Sequence, residues 1–117
     1  MKTVNLAVKL ALFVNQWDPK VVGSYNDNDV MVVKFAGEFP FHKHDDSDDF
    51  FLVLEGEVTM DREGGESVTI AAGEMCIVPA GVVHRPRAET EAKVLLIEPK
   101  GLPNTGDAAT AAPKPHI

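Results

Sequence analysis

The sequence has a single cysteine, Cys76, in 117 residues, so it can form neither an intramolecular disulfide nor a thiolate cage for a metal. Both absences fit a reducing compartment. Cys76 itself reads as a small buried apolar side chain rather than a reactive thiol. No apolar run comes near the roughly 18 residues that a membrane span needs. The one early apolar stretch, VNLAVKLALFV, is interrupted by Asn5 and Lys9 and is followed by NQWD where small cleavage-site residues would stand. It is therefore read as part of the folded protein, and a cytoplasmic location is expected, with no membrane partner. Basic residues are also few, 11 against 18 acidic, for a formal charge of -7. No cluster of Lys or Arg exists that could neutralise a run of phosphates, so nucleic acid is not an expected partner.

What the sequence does have is a set of short β-rich runs separated by turn residues. Its 44% hydrophobic and 25% charged content is that of a chain that folds, and its length fits one domain. From Lys20 onward the runs KVVGSY, DVMVVKFA, DFFLVLEG, EVTMD, SVTIA, EMCIVP and AKVLLIE follow one another, a spacing that predicts an all-β sandwich or barrel. Between them, Asn26 to Asp29, DREGGE, AAGE and PAG supply the turns. Gly64 and Gly65 can take the positive φ angles of a tight hairpin. Along 49–54 both faces are apolar, Phe51 and Val53 against Phe50, Leu52 and Leu54, as in a strand covered on both sides. Ahead of the strands, Leu6, Leu10, Phe13 and Trp17 follow helical spacing while Leu6, Val8, Leu10 and Leu12 alternate; a short helical turn is the expectation. Residues 1–100 are thus expected to form the barrel with its N-terminal segment. Residues 101–117, rich in Ala, Pro, Gly and Thr, are expected to form an extended C-terminal tail. A second subunit is one surface on which such a tail could lie.

The chemistry concentrates in FHKHDDSDDFF. On a strand, side chains two apart share a face, so His42 and His44 project together while Lys43 points away. Asp49 follows at the start of the next apolar run, and an oxygen donor beside nitrogen donors suits a divalent transition metal. His84, after PAGVV, is the natural fourth member once antiparallel strands bring distant segments into register. The four-aspartate run lacks the Gly and terminal Glu of an EF-hand loop, and Asp45, Asp46 and Asp48 are read as solvated. His116, between Pro115 and Ile117, is read as exposed or packed at an interface.

These residues resemble the two motifs of the cupins. Gly37, four residues, HKH, four residues, Asp49, six residues and Gly56 is similar to the first; Gly73, five residues, Pro79, one residue, Gly81, two residues and His84 is similar to the second. The resemblance covers about Val30 to Glu98. KLALF, WDPKVV, VPAGVVHRP, LLIEP and NTGD also resemble small single-domain bacterial cupins often labelled as related to mannose-6-phosphate isomerase, a label that assigns no activity, because one fold hosts many functions. The resemblance implies a double-stranded β-helix, the cupin jelly-roll barrel, around a cavity. It also implies one divalent metal ion, Fe, Mn, Ni or Zn, held by His42, His44, His84 and a carboxylate at Asp49. The family usually carries Glu at that position, and Asp is one methylene shorter; it can bind directly, through water, or stand aside, with Asp48 as the alternative carboxylate.

Two functions fit: a metal-dependent enzyme of oxygenase or isomerase type acting on a small organic substrate, or a non-catalytic cupin that binds or senses a small ligand. Arg85 and Arg87 are read either as groups that orient an anionic ligand or as surface ion-pair partners of Glu89 and Glu91. A homodimer is expected, because Leu6, Leu10, Phe13 and Trp17 and the second apolar face of 49–54 exceed what one small barrel can cover.

Overall fold

The structure is a computed structural model that describes all 117 residues. A five-residue helix α1 (Leu6–Leu10) precedes seven strands: β1 (Lys20–Tyr25), β2 (Asn28–Glu38), β3 (Asp49–Glu55), β4 (Glu57–Arg62), β5 (Ser67–Ala71), β6 (Met75–Val78) and β7 (His84–Pro99). All pairings between strands are antiparallel, in the order β1-β2-β7-β3-β6, with β4 pairing both β5 and β7. This is the jelly-roll barrel expected from the sequence.

The two longest strands bend the barrel. β7 pairs β4 through His84 to Arg87 and β3 through Lys93 to Ile97, so its halves belong to different walls. Its register with β2 shifts between Phe35 and Gly37, where Phe35 faces Ala92 but Gly37 faces Ala88. Extra residues on one strand at such a point turn the chain. The turn into β4 crosses β7 closely: Gly56 has φ 85, and a Cβ there would stand 3.1 Å from Ala92 Cα. Glycine is the residue that fits both demands.

Alternate residues of the strands point inward. Met31, Val33, Phe35, Phe51, Val53, Val58, Met60, Val94 and Leu96 belong to one buried cluster. Each such side chain contributes about 1.5–3 kcal/mol by leaving water. On β3 the alternation is clean, with Asp49, Phe51 and Val53 buried, whereas Phe50, Leu52 and Leu54 are half-buried. The outer face of that strand is therefore only partly covered within the chain.

The N-terminal segment is helical, as its spacing predicts. Asn5 caps α1 by accepting the Val8 N–H, and Leu10 is its one buried residue. Residues 101–117 fold back over the barrel instead of extending away. The Val21 N–H donates to Pro115 O at 2.9 Å and the Ile117 N–H donates to Val21 O at 3.0 Å. His116 is exposed and faces Val21 through its backbone.

Candidate metal centre

Backbone hydrogen bonds bring the two sequence motifs together. The N–H groups of His42 and His84 each donate to the other residue's carbonyl at 2.9 Å, and the Gly81 N–H donates to His44 O at 2.8 Å. The PAG turn thus folds onto the HKH segment. Asp48 points elsewhere, its Oδ1 accepting the Ala80 N–H at 2.9 Å. Asp45 and Asp46 are exposed, as expected.

His42, His44, His84 and Asp49 all lie inside, with Asp49 and His84 each 2% exposed. One oxygen, Asp49 Oδ2, is 2.9 Å from His84 Nε2, 3.3 Å from His44 Nε2 and 3.9 Å from His42 Nε2. Asp49 therefore reaches the imidazoles despite its short side chain. The donor atoms form two overlapping groups, His42–Asp49–His84 and His44–Asp49–Glu98, each within 4.8 Å, sharing Asp49.

The outer nitrogens fix the inner ones. His42 Nδ1 lies 2.9 Å from Pro40 O, and His84 Nδ1 lies 2.7 Å from Val82 O. Each Nδ1 facing a carbonyl carries the proton, which leaves Nε2 as a lone pair turned toward Asp49, the orientation that metal-binding imidazoles take. A lone pair 2.9 Å from a carboxylate oxygen is repulsive unless a proton or a cation lies between them. Moreover, both ring nitrogens of His44 and Asp49 Oδ1 are buried without a hydrogen bond. Unpartnered polar atoms of this kind are rare in native interiors, and here they gather around Asp49, the residue that both donor groups share. The donor set fits a divalent ion.

Burial, the largest influence on His42, lowers its pKa to about 4, with His84 adding to the effect against the Pro40 carbonyl and Asp49. For His44 burial again opposes the charge, but Asp49 outweighs it and the pKa rises. Asp49 is held at about 2: burial, which would raise it, yields to the His44 and His84 contacts.

Two residues of this region escaped the sequence reading. Glu98, 3% exposed, is buried beside Asp49, and burial raises its pKa. Lys114 from the C-terminal segment donates to Glu98 Oε2 at 3.0 Å. Glu98 continues the inward series Val94, Leu96, and that period was its signal. Arg85 and Arg87, by contrast, pair with Asp61 and not with the expected Glu89 or Glu91. Each donates through Nε to Asp61 at 2.9 Å, and Arg85 also pairs with Glu38 and lies over the Phe41 ring.

A cavity of about 30 Å³ opens beside the cluster, lined by His42, Asp49 and Glu98 at one side and by Trp17, Phe35 and Phe39 at the other. Trp17 stacks on Phe35 with ring centroids 4.4 Å apart. Its Nε1 donates to Ala36 O at 2.8 Å, and its backbone sits at φ 58. These contacts hold it in a conformation uncommon for a bulky residue.

Comparison with known proteins gives four reference points. Residues 29–98 match the family model described as Cupin domain. An uncharacterised protein of Bacillus subtilis, YdbB, is 37% identical over 79 residues, 68% of this chain and 70% of that protein. A cupin-2 domain containing protein from Shewanella frigidimarina superposes with a TM-score of 0.81 at 39% identity, covering 83% of this chain and 94% of the other. At 24% identity, where likeness shows the fold alone, hydroquinone 1,2-dioxygenase from Sphingomonas sp. TTNP3 superposes with a TM-score of 0.74 over 84% of this chain and 32% of that one.

Proposed function

This chain belongs to the cupin family, and from that premise we propose that it is a metal-binding cupin acting on a small organic molecule. His42, His44, Asp49 and His84 would hold the ion. One observation carries the reading: His44 and Asp49 keep buried polar atoms without partners inside a cluster of three imidazoles and a carboxylate, with two of the imidazoles oriented from behind by carbonyls.

A bound ion would supply oxygenase chemistry as iron or polarise a carbonyl as Zn, Ni or Mn. The chain's own residues do the rest. Pro40 O and Val82 O keep the Nδ1 protons of His42 and His84 in place, so that Nε2 stays free. Trp17, Phe35, Phe39 and Phe51 wall the cavity, which suits a substrate with a flat or apolar body. The hydroquinone 1,2-dioxygenases among the fold neighbours are compatible with an oxygenase on an aromatic substrate. Isomerisation fits the same donor set.

Elemental analysis of the protein purified without added metal tests the reading. It predicts about one divalent ion per chain, and its loss on double replacement of His42 and His44 by Ala; metal content that the replacement leaves unchanged contradicts it.

The pair of chains expected from sequence also has a place in this proposal. Met75 and Ile77 on β6 are 61% and 50% exposed. Ile77 pairs with Phe50 and Phe50 with Ile97, while Met75 pairs with Leu52 and Leu52 with Leu95. The outer face of three strands is thus a continuous apolar surface, suited to a second copy. Light scattering at micromolar concentration should give twice the 12.7 kDa chain mass, and Ile77→Lys should reduce it to one chain. A single-chain mass for the unaltered protein contradicts the dimer. No helix of the chain is long and apolar enough to cross a membrane.

A further inference from the structure

We propose that residues 101–117 are a lid, supplied by the chain itself, which closes the cavity beside Asp49 and must lift to admit an organic ligand. The lid would be seated by Gly106 on the histidine segment and latched by Lys114 on Glu98. This inference does not depend on whether an ion sits among the histidines.

By the measure in which one water needs roughly 10–15 Å³, a cavity of about 30 Å³ holds two or three waters. Pockets that receive organic ligands run to roughly 300 Å³ and above. Something must therefore move before such a ligand can enter, and the strands of the wall are locked in ladders on both sides.

The C-terminal segment is the part of the wall with least to lose. Asn104 lines the cavity together with Trp17 and Phe39, and its Oδ1 accepts the Ala112 N–H at 2.9 Å, which folds the segment on itself. Thr105 and Asp107 likewise bond within the segment. Apart from the local turn in which the Leu102 N–H donates to Pro99 O, its backbone pairs with the barrel at Val21 alone, through Pro115 and Ile117. An element held by so few backbone bonds opens well below the cost of unfolding the barrel.

Two contacts, one of backbone and one of side chains, place this segment over the cavity instead of merely beside it. Gly106, at φ +78, lies so close to Lys43 O that a Cβ would collide with it, and Lys43 stands between His42 and His44. Lys114 reaches Glu98 Oε2 at 3.0 Å and also donates to Leu102 O, with the two side chains 12% and 3% exposed. The pair joins the end of the segment to a carboxylate of the cavity wall. Lifting the lid opens a path to Glu98, Asp49 and His42. Closing it over a ligand places the Asn104 carboxamide at the ligand's edge, opposite the imidazoles. The ligand implied is small and largely apolar, with a polar group at the carboxylate end.

Trp17 is the sole tryptophan of the chain and lines the cavity, so its fluorescence reports access from solvent. In the full-length protein, Gly106→Ala should raise the acrylamide quenching constant of Trp17 at least ~2-fold and speed hydrogen exchange at the Val21 amide at least ~10-fold, as local opening requires, with the Val94 amide still protected. Faster exchange at Val21 with unchanged quenching means that the segment leaves without uncovering the cavity, and overturns the lid. No change in either means that the Gly106 contact does not seat the segment, and overturns it equally. Lys114→Met, which removes the latch and the Lys114 bond to Leu102 O but leaves the Val21 backbone bonds intact, must move both readouts in the same direction. If Gly106→Ala fails to fold, this second variant decides, and unchanged values in it overturn the proposal.

Discussion

Two carboxylates in this barrel sit in buried polar clusters, and they are treated in opposite ways. Asp61, 7% exposed, is fully partnered: Oδ1 accepts the Ser67 hydroxyl, and Oδ2 accepts Nε–H from both Arg85 and Arg87. Asp49, 2% exposed, faces three imidazoles, yet its Oδ1 and both nitrogens of His44 make no hydrogen bond. A satisfied cluster holds strands β4, β5 and β7 together and asks for nothing more. An unsatisfied one costs stability as it stands, unless another species completes it. The contrast separates a structural network from a functional site better than burial or charge alone, since both clusters have each.

The sharpest way to break the comparison is to remove one cluster and read the property assigned to the other. His42→Ala with His44→Ala should eliminate bound metal entirely, while Asp61→Asn leaves the stoichiometry unchanged, both by elemental analysis. Equal losses in the two would erase the distinction.

Within the Asp49 cluster, Asp49→Ala should weaken metal affinity by at least ~10-fold, the lower range seen even for groups that only support a ligand. Asp49→Glu should keep or tighten it, because it restores the side chain that cupins usually carry there. A competition titration with a chelator measures both. If the Glu variant loses metal while the Ala variant keeps it, Asp49 is not a ligand.

The smallest expected effect concerns stability. Asp61→Asn should cost about 1.5–3 kcal/mol at neutral pH, the range for hydrogen bonds to a charged group, read by chemical denaturation. Its hydrogen bonds with Arg87, Ser67 and Arg85 hold the Asp61 carboxyl well below its ordinary 3.8. The folded chain therefore binds this proton less readily than the unfolded chain. That contribution is complete above the ordinary value and shrinks as pH falls below it. The gap between the parent and the Asn variant should accordingly be constant from pH 7 to 5 and narrow toward pH 3. A gap that widens on acidification would contradict the assignment.

Much of this was legible in the sequence. The runs KVVGSY and SVTIA coincide with β1 and β5, and turn residues bound them on both sides. His42, His44, Asp49 and His84 stand out by spacing and by the cupin resemblance; the fold places His42, Asp49 and His84 in one group of donors and His44, Asp49 and Glu98 in a second. The first half of β7 was missed, because HRPRAETE buries small residues, Pro86 and Ala88, between arginines and so shows no hydrophobic period. Glu98 was passed over as the charged end of an apolar strand, although its position in the alternation turns it inward. Lys114 carried no local signal at all. Its partner is fixed by how the last residues cross the barrel, a tertiary fact that no short window contains.

The central claim is that an ion completes the Asp49 cluster, and X-ray absorption at the metal edge of the loaded protein tests it most directly. The account predicts a first shell of imidazole nitrogens and carboxylate oxygen at about 2.0–2.2 Å, with the imidazole signal reduced in His44→Ala. A spectrum without imidazole ligands, or a protein that takes up no divalent ion, would contradict it.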